Sequence, residues 1–94
     1  MITRIVKMKF APDKTETFTE MFNEIAPTIR SFQGCRDLKL IRDQKDPSIF
    51  FTWSVWDGTE DLNQYRNSDF FANTWEKTKA MFDAKPEAWT VEEM

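Results

Sequence analysis

The sequence predicts an α+β protein in which helices cover one face of an antiparallel sheet. Three observations indicate this fold class. Four short segments have strand-like patterns, one of them (residues 49–56) rich in β-branched and aromatic residues, two regions carry apolar residues at helical spacing, and Gly, Pro and Asp separate them. With 94 residues, the chain is expected to form a single domain, residues 1–94, around one core.

The first strand is predicted at residues 2–10, and a helix follows it. One face of the strand carries Arg4 together with four apolar side chains: Ile2, Val6, Met8 and Phe10. The apolar residues of the helix recur at helical spacing: Phe18, Met21, Phe22, Ile25 and Ile29. Asp13 and Glu16 have the spacing of a capping box at its start. Pro27 predicts a kink or weaker last turns, and Gly34 is the expected stop signal.

Residues 35–43 and 49–56 are predicted to form a β-hairpin, because a short polar turn with one proline joins them. In the first strand, Leu38 and Leu40 should share one face, and Cys35 and Ile41 the other. The second strand has one wholly apolar face: Ile49, Phe51, Trp53 and Val55. Its other face combines aromatic rings with small hydroxyls: Phe50, Thr52, Ser54 and Trp56. We expect the apolar face to contact the helices and the mixed face to line the interior of a dimer.

The second half of the chain predicts a short helix around Leu62 and Tyr65, and a further helix starting at Ser68. In the helix that starts at Ser68, the apolar stripe consists of Phe71, Trp75, Thr78 and Phe82. Residues 87–92 form a last predicted strand. The order β-α-β-β-α-β is the ferredoxin-like arrangement, with the helices on one face of the sheet. Nothing in the chain is left to cover the other face, so we expect a homodimer with sheets packed face to face.

Composition argues against several kinds of partner. The formal net charge of -3 does not favour nucleic acid, which requires a basic surface. No apolar stretch approaches membrane-spanning length, no signal peptide is visible, and a single cysteine fits a reducing compartment, so a cytoplasmic protein is expected. Potential ligands are too scattered to predict a metal site. Aromatic residues make up 15% of the chain, which favours an aromatic-lined cavity or interface.

Three segments of the chain resemble the antibiotic biosynthesis monooxygenase family of small dimeric α+β barrel proteins. They are Phe32-Gln33-Gly34-Cys35, the run from Phe51 to Trp56 with Gly58 and Leu62 after it, and Ser68-Asp69-Phe70-Phe71. The resemblance covers nearly the whole chain and implies oxidation of an aromatic phenol or quinol by O2, without a metal or flavin cofactor. In such chemistry the substrate anion reduces oxygen directly. The pocket then has to stack on the rings, donate hydrogen bonds to the anion and supply a base.

The chain departs from that family because it contains no histidine. Many family members carry histidines where this sequence has Tyr65 and Phe70, and haem-degrading relatives ligate iron at the position of Trp75. An indole offers only an N–H donor, so haem is not expected as a ligand. The base is then a carboxylate, Tyr65 with a lowered pKa, or the substrate's own acidity.

The candidate site residues have structural alternatives. Asn63 and Tyr65 are the candidate catalytic residues, whose amide and phenol would orient a substrate oxygen; alternatively they are an exposed Asn and a Tyr that caps the core. Arg4 is predicted to bind an anionic substrate oxygen or to pair with a carboxylate at the end of the sheet. The remaining candidates would stack on an aromatic ligand or pack in the core: Trp53, Trp56, Phe71 and Trp75.

Three classes of function follow from these observations. The leading hypothesis is a cofactor-independent monooxygenase acting on a small aromatic phenol or quinol. The alternative is a non-catalytic dimeric module that binds an aromatic metabolite, which the absence of histidine favours. The third is a structural interaction domain, in which a partner subunit would fill the second sheet face and leave no cavity.

Overall fold

Four strands form one antiparallel sheet in the computed structural model, which describes residues 1–94. In chain order the elements are β1 (Ile2–Lys9), a 3-10 turn (Pro12–Lys14), α1 (Thr15–Arg30), β2 (Cys35–Arg42), β3 (Ile49–Trp56), α2 (Thr59–Arg66), α3 (Asp69–Lys79) and β4 (Glu87–Val91). The strands lie side by side in the order β2-β3-β1-β4, and every neighbouring pair is antiparallel. The predicted α+β, ferredoxin-like fold is confirmed.

The hydrophobic core lies between the helices and one face of the sheet. Phe18 on α1 stacks on Phe10 with ring centroids 4.2 Å apart, and its ring meets Phe50 of β3 edge-on at 5.7 Å. Leu62 brings α2 into the same core. Burial of these large rings is the main stabilising contribution, about 1.5–3 kcal/mol for each fully buried apolar side chain. No helix combines the length and the apolarity needed to cross a membrane.

The predicted assignment of the two faces of β3 is wrong. Phe50, Ser54 and Trp56 are buried against the helices, whereas Trp53 is among the exposed large apolar residues. The buried Trp56 indole donates its N–H to the Ser54 hydroxyl across 2.9 Å, so the two polar atoms satisfy each other inside the core. Both faces of β3 are apolar enough to be buried, and this internal hydrogen bond explains why the face with the hydroxyls can turn inward.

Two features near the end of α1 also differ from the prediction. The pairing register between β2 and β3 shifts between Cys35 and Asp37, which marks a β-bulge. Because of this bulge, Cys35 lies on the helix side of the sheet together with Leu38, and not on the opposite side with Ile41. The helix runs through Pro27 and ends at Arg30, so Gly34 is not its stop signal. Gly34 instead occupies the turn into β2 with a φ of 84°.

The predicted capping box at the start of α1 is not formed. Lys14 is the N-cap residue and makes no side-chain capping hydrogen bond, while Asp13 lies in the preceding 3-10 turn. The chain therefore enters α1 through a tight turn that begins at Pro12, in which the amide of Lys14 donates to the carbonyl of Ala11 at 2.8 Å. This turn replaces the side-chain cap.

The second face of the sheet, here called the outer face, is covered by no element of the chain. Ile5 of β1 lies between Trp53 of β3 and Trp89 of β4 in the pairing register. The two indoles are 37% and 44% exposed, respectively. Further apolar residues of the outer face flank this row: Ile41, Phe51, Val55 and Val91. Such a contiguous apolar surface on a small domain is typical of a protein interface.

Candidate functional site

A cavity of about 290 Å³ lies between the sheet and the helices. The strands contribute Arg4, Val6, Thr52, Ser54 and Trp56 to its walls. The helices contribute side chains from all three: Phe22 and Ile25 from α1, Leu62, Tyr65 and Arg66 from α2, and Phe71, Thr74 and Trp75 from α3. The prediction that the mixed face of β3 would line a cavity inside a dimer is therefore wrong, because one protomer forms this cavity by itself.

The wall of the cavity contains a continuous series of aromatic contacts. Trp56 stacks on Tyr65 with ring centroids 5.1 Å apart and planes 24° from parallel. Phe71 meets Tyr65 edge-on at 5.1 Å and lies nearly parallel to Trp75 at 5.9 Å. Since each contact restricts the orientation of the next ring, these contacts define the shape of the aromatic wall.

One serine holds the two helices that carry this wall. The Ser68 hydroxyl donates to the carbonyl of Tyr65 at 2.6 Å and accepts from the amide of Phe71 at 3.1 Å. Ser68 is therefore the N-cap of α3, as the sequence predicts, and it also bonds to the last turn of α2. This side chain therefore joins the end of α2, which carries Tyr65, to the start of α3, which carries Phe71.

The phenol of Tyr65 is better suited to donate a hydrogen bond than to act as a base. Burial, reinforced by the neighbouring Cys35, raises the pKa of its phenol to about 12. This direction is opposite to the lowered pKa that Tyr65 would need as one of the three possible bases. No Asp or Glu side chain lines the cavity. Of the three possible sources of a base, only the acidity of the substrate itself remains inside the cavity.

Two arginines are the only charged groups in the cavity wall. Arg4 donates to the hydroxyl of Thr90 at 2.8 Å, and Arg66 lies in the last turn of α2. Neither guanidinium takes part in a salt bridge. Burial, together with the positive charge of Arg66, lowers the pKa of Arg4. Of the two predicted roles of Arg4, the structure does not contain the ion pair with a carboxylate.

The predicted site residues fall into two groups. Five of them line the cavity: Arg4, Trp56, Tyr65, Phe71 and Trp75. Asn63 is exposed on α2. It lies two residues before Tyr65, a separation of about 200° around the helix axis, so the two side chains point in nearly opposite directions. Trp53 lies on the outer face. Side chains alternate between the two faces of a strand, and Trp53 is three positions from Trp56, which lies on the inner face.

Sequence reasoning missed Arg66 as a cavity residue. It lies four positions after the buried Leu62 and therefore on the same side of α2, a spacing that could have identified it. Ser54 was assigned to the mixed face but not to the site, and its hydroxyl keeps a proton to donate after accepting from Trp56. A metal ion has no evident site in the structure, because no group of three or more His, Cys, Asp or Glu side chains is placed to hold one.

Solved structures with the same fold cover the chain almost completely. A crystal structure of an antibiotic biosynthesis monooxygenase has a TM-score of 0.92 at 18% identity, covering 100% of this chain and 99% of the other. A conserved protein from Methanosarcina mazei Go1 has a TM-score of 0.92 at 20% identity, with coverages of 100% and 94%. A Mycobacterium tuberculosis protein has a TM-score of 0.89 at 13% identity, covering 99% and 94%. At these identities the similarity establishes the fold alone.

Sequence comparison addresses the family directly. No curated protein matches the chain significantly. The sequence pattern that defines the family described as "Antibiotic biosynthesis monooxygenase" matches residues 1–77, from the start of β1 into the last turn of α3. The match includes all five predicted residues that line the cavity. The chain therefore belongs to the antibiotic biosynthesis monooxygenase family.

Proposed function

We propose that this protein is a cofactor-independent monooxygenase that oxidises a small aromatic phenol or quinol with O2. The observation that carries the proposal is the composition of the cavity. Its walls are aromatic, and the polar groups that face it include hydrogen-bond donors and two cations but no carboxylate. Such a site stabilises an oxyanion more than it stabilises the neutral phenol.

The proposed reaction starts with ionisation of the bound phenol. Hydrogen bonds from Tyr65 and Ser54, together with the charges of Arg4 and Arg66, favour the phenolate and lower its pKa. The proton leaves to solvent, so no residue has to act as the base. The electron-rich anion then transfers an electron to O2, and the substrate radical and superoxide combine at a ring carbon that bears a hydrogen. The peroxide anion formed takes up one proton from solvent. Loss of the hydrogen of that carbon as a proton then breaks the O–O bond, so that one oxygen atom stays on the ring as a carbonyl and the other leaves with both protons as water.

The cavity volume limits the size of the substrate. Small-molecule sites in proteins have volumes of about 300–1,000 Å³. At about 290 Å³, this cavity is at the lower end of that range. We therefore propose a substrate with one or two fused rings, in contact with the partly exposed rings of Tyr65, Phe71 and Trp75.

We further propose that the protein is a cytoplasmic homodimer in which the outer faces of two sheets pack together. The apolar row of Trp89, Ile5 and Trp53 would form the centre of this interface. Charged residues at the border of the same face, such as Lys39 and Glu87, would form its polar rim. Because the cavity lies on the opposite side of the sheet, dimerisation leaves it intact.

A binding module for an aromatic metabolite is the second candidate function. It is favoured by one observation, the absence of a carboxylate or a histidine in the cavity. Such a protein would hold the same flat molecule without turning it over. The cavity itself argues against the structural interaction domain, which would leave none.

Oxygen uptake with a panel of naphthols, hydroquinones and naphthohydroquinones tests the proposed activity. We expect uptake above the uncatalysed rate for at least one substrate, and a loss of about 10²–10³-fold in kcat for Tyr65→Phe, since one oxyanion donor is removed. Gln64→Ala, at an exposed position of the same helix, is the matched control and should retain the wild-type rate. Quenching of Trp fluorescence by these compounds without oxygen uptake would instead identify a binding module.

A further inference from the structure

The strongest unexplained feature of the cavity is its pair of arginines. Arg4 and Arg66 approach the same space, and the charge of Arg66 acts on Arg4. Two cations facing one partly desolvated cavity repel each other, and no carboxylate in the wall compensates for this repulsion. By contrast, Lys7, Lys9 and Lys39 on the sheet each have an acidic partner within 4.0 Å.

The two arginines are held in different ways that suit a common ligand. Arg4 lies on β1, between β3 and β4 in the sheet, and its hydrogen bond to Thr90 uses only one of its five N–H donors. Arg66 ends α2 directly after Tyr65, so its backbone position is fixed by the helix that builds the aromatic wall. Both guanidinium groups therefore keep N–H donors that no protein group occupies.

From this arrangement we propose that the ligand is a one- or two-ring aromatic carboxylate, whose carboxylate binds Arg4 and Arg66 while its ring contacts the partly exposed aromatic side chains of the wall, Tyr65, Phe71 and Trp75. The inference rests on the proposed function, because it concerns the same cavity and names the class of its substrate. Under it, the oxidisable phenol or quinol carries an acid group elsewhere on the ring system.

A carboxylate matches the pair better than a phenolate does. It has two oxygens with about four lone-pair sites, enough for both guanidiniums at once, and it is ionised at neutral pH without help from the protein. A phenolate offers a single oxygen, which Tyr65 and Ser54 can already satisfy as donors. The rest of the wall is suited to the ring, since 13 of its 20 residues are hydrophobic.

The test is a calorimetric titration of the purified protein with 2-naphthoate and with its neutral analogue 2-naphthamide. Both probes have the same two rings and differ in charge. We expect 2-naphthoate to bind at least about 10-fold more tightly, because hydrogen bonds between charged groups are the strong ones. The preference should weaken as salt is added.

Three arginine variants locate the effect. Arg66→Gln and Arg4→Gln should each lower the affinity for 2-naphthoate by about 10- to 100-fold and leave that for 2-naphthamide nearly unchanged. Arg66 is exposed enough for its variant to fold even if Arg4→Gln does not. Arg42→Gln removes the same charge from β2, outside the cavity wall, and should bind both probes as the wild type does.

Equal affinities for the two probes in folded protein, or no binding of either at millimolar concentration, would overturn the inference. An equal loss in Arg42→Gln would do the same, since the effect would then be one of net charge. The titration requires no turnover and is therefore independent of the oxygen-uptake test. Arginine-dependent binding of 2-naphthoate by a protein that oxidises no quinol would support the carboxylate site and contradict the monooxygenase activity.

Discussion

At the scale of single residues, Tyr65 determines what kind of chemistry the cavity can support. Its ring stacks on Trp56, and its hydroxyl stays protonated because burial raises its pKa to about 12. A donor of this kind stabilises an anion but does not create one by removing a proton. The proposed function therefore requires a substrate that is acidic enough to ionise when it is bound.

Tyr65 is the only tyrosine of the chain, so its ionisation can be followed directly by tyrosinate absorbance. We expect no tyrosinate in the folded protein at pH 10.0, the ordinary pKa of tyrosine, with a midpoint near the raised value of about 12. In the unfolded chain Tyr65 ionises at the lower value, so the folded state holds the proton longer. The free energy of unfolding therefore falls between pH 10 and 12, by at most about 3 kcal/mol.

Tyr65→Phe is the control for this pH dependence. The variant lacks the ionisable group, so its stability should not show the part of the alkaline decline that the phenol causes. A wild-type titration midpoint at or below pH 10.0 would show that the phenol is accessible and can act as a base after all.

The position of a side chain in the cavity could be predicted from the sequence only where the residue spacing determines which side of the helix it faces. Tyr65, Phe71 and Trp75 were identified because helical spacing places them with Leu62 and with one another on the inner side. Asn63 was not distinguished from Tyr65, although two positions along a helix separate their directions. Arg66 was missed because a charged residue at a helix end is ordinarily solvated, and its lack of a partner is visible only in three dimensions.

At the scale of elements, the bounds of the strands were predictable and their orientation was not. The run of β-branched and aromatic residues from Ile49 to Trp56 coincides with β3 because no glycine, proline or charge interrupts it. Its two faces have similar apolarity, so alternation alone does not indicate which one meets the helices. The deciding interaction, the hydrogen bond between Trp56 and Ser54, depends on side-chain geometry. The bulge near Cys35 likewise leaves no sign in the local pattern.

The turn from α1 to β2 provides a test at this scale. Gly34 has a φ of 84°, and a Cβ at this position would collide with the Asp61 side chain at the start of α2. Its carbonyl also accepts the amide of Asp57 at 2.8 Å, which ties the turn to the end of β3. Gly34→Ala should lower the free energy of unfolding in urea by about 1–3 kcal/mol, from backbone strain and the displaced Asp61.

Gly58→Ala is the matched control for this effect. Gly58 has an extended backbone, with φ at -164°, and an added Cβ would meet no atom within 4 Å. The free energy of unfolding of Gly58→Ala should stay within about 0.5 kcal/mol of the wild-type value. Equal stabilities of the two variants would contradict the role given to Gly34.

At the scale of the whole molecule, the two faces of the sheet have different roles. The inner face, under the helices, builds both the core and the cavity, so a single protomer forms the whole wall of this cavity. The outer face carries two exposed indoles and no cover. The ferredoxin-like order of elements, predictable from periodicity, already implied one uncovered face. The residues on this uncovered face could be assigned only from the pairing register of the strands in the structure.

The proposed homodimer gives the last prediction. A glutamate at the centre of the outer face would bury a charge without a partner in the interface, and the cost of removing that charge from water exceeds what the remaining apolar packing supplies. Trp53→Glu should therefore sediment as a monomer at a micromolar concentration at which the wild type is a dimer. The wild-type melting temperature should also rise with protein concentration, whereas that of the variant should not. Asn73→Glu, on the exposed side of α3, introduces the same charge away from the outer face and should remain dimeric. A monomeric wild type under these conditions would contradict the proposed assembly, and the outer face would then need a different partner.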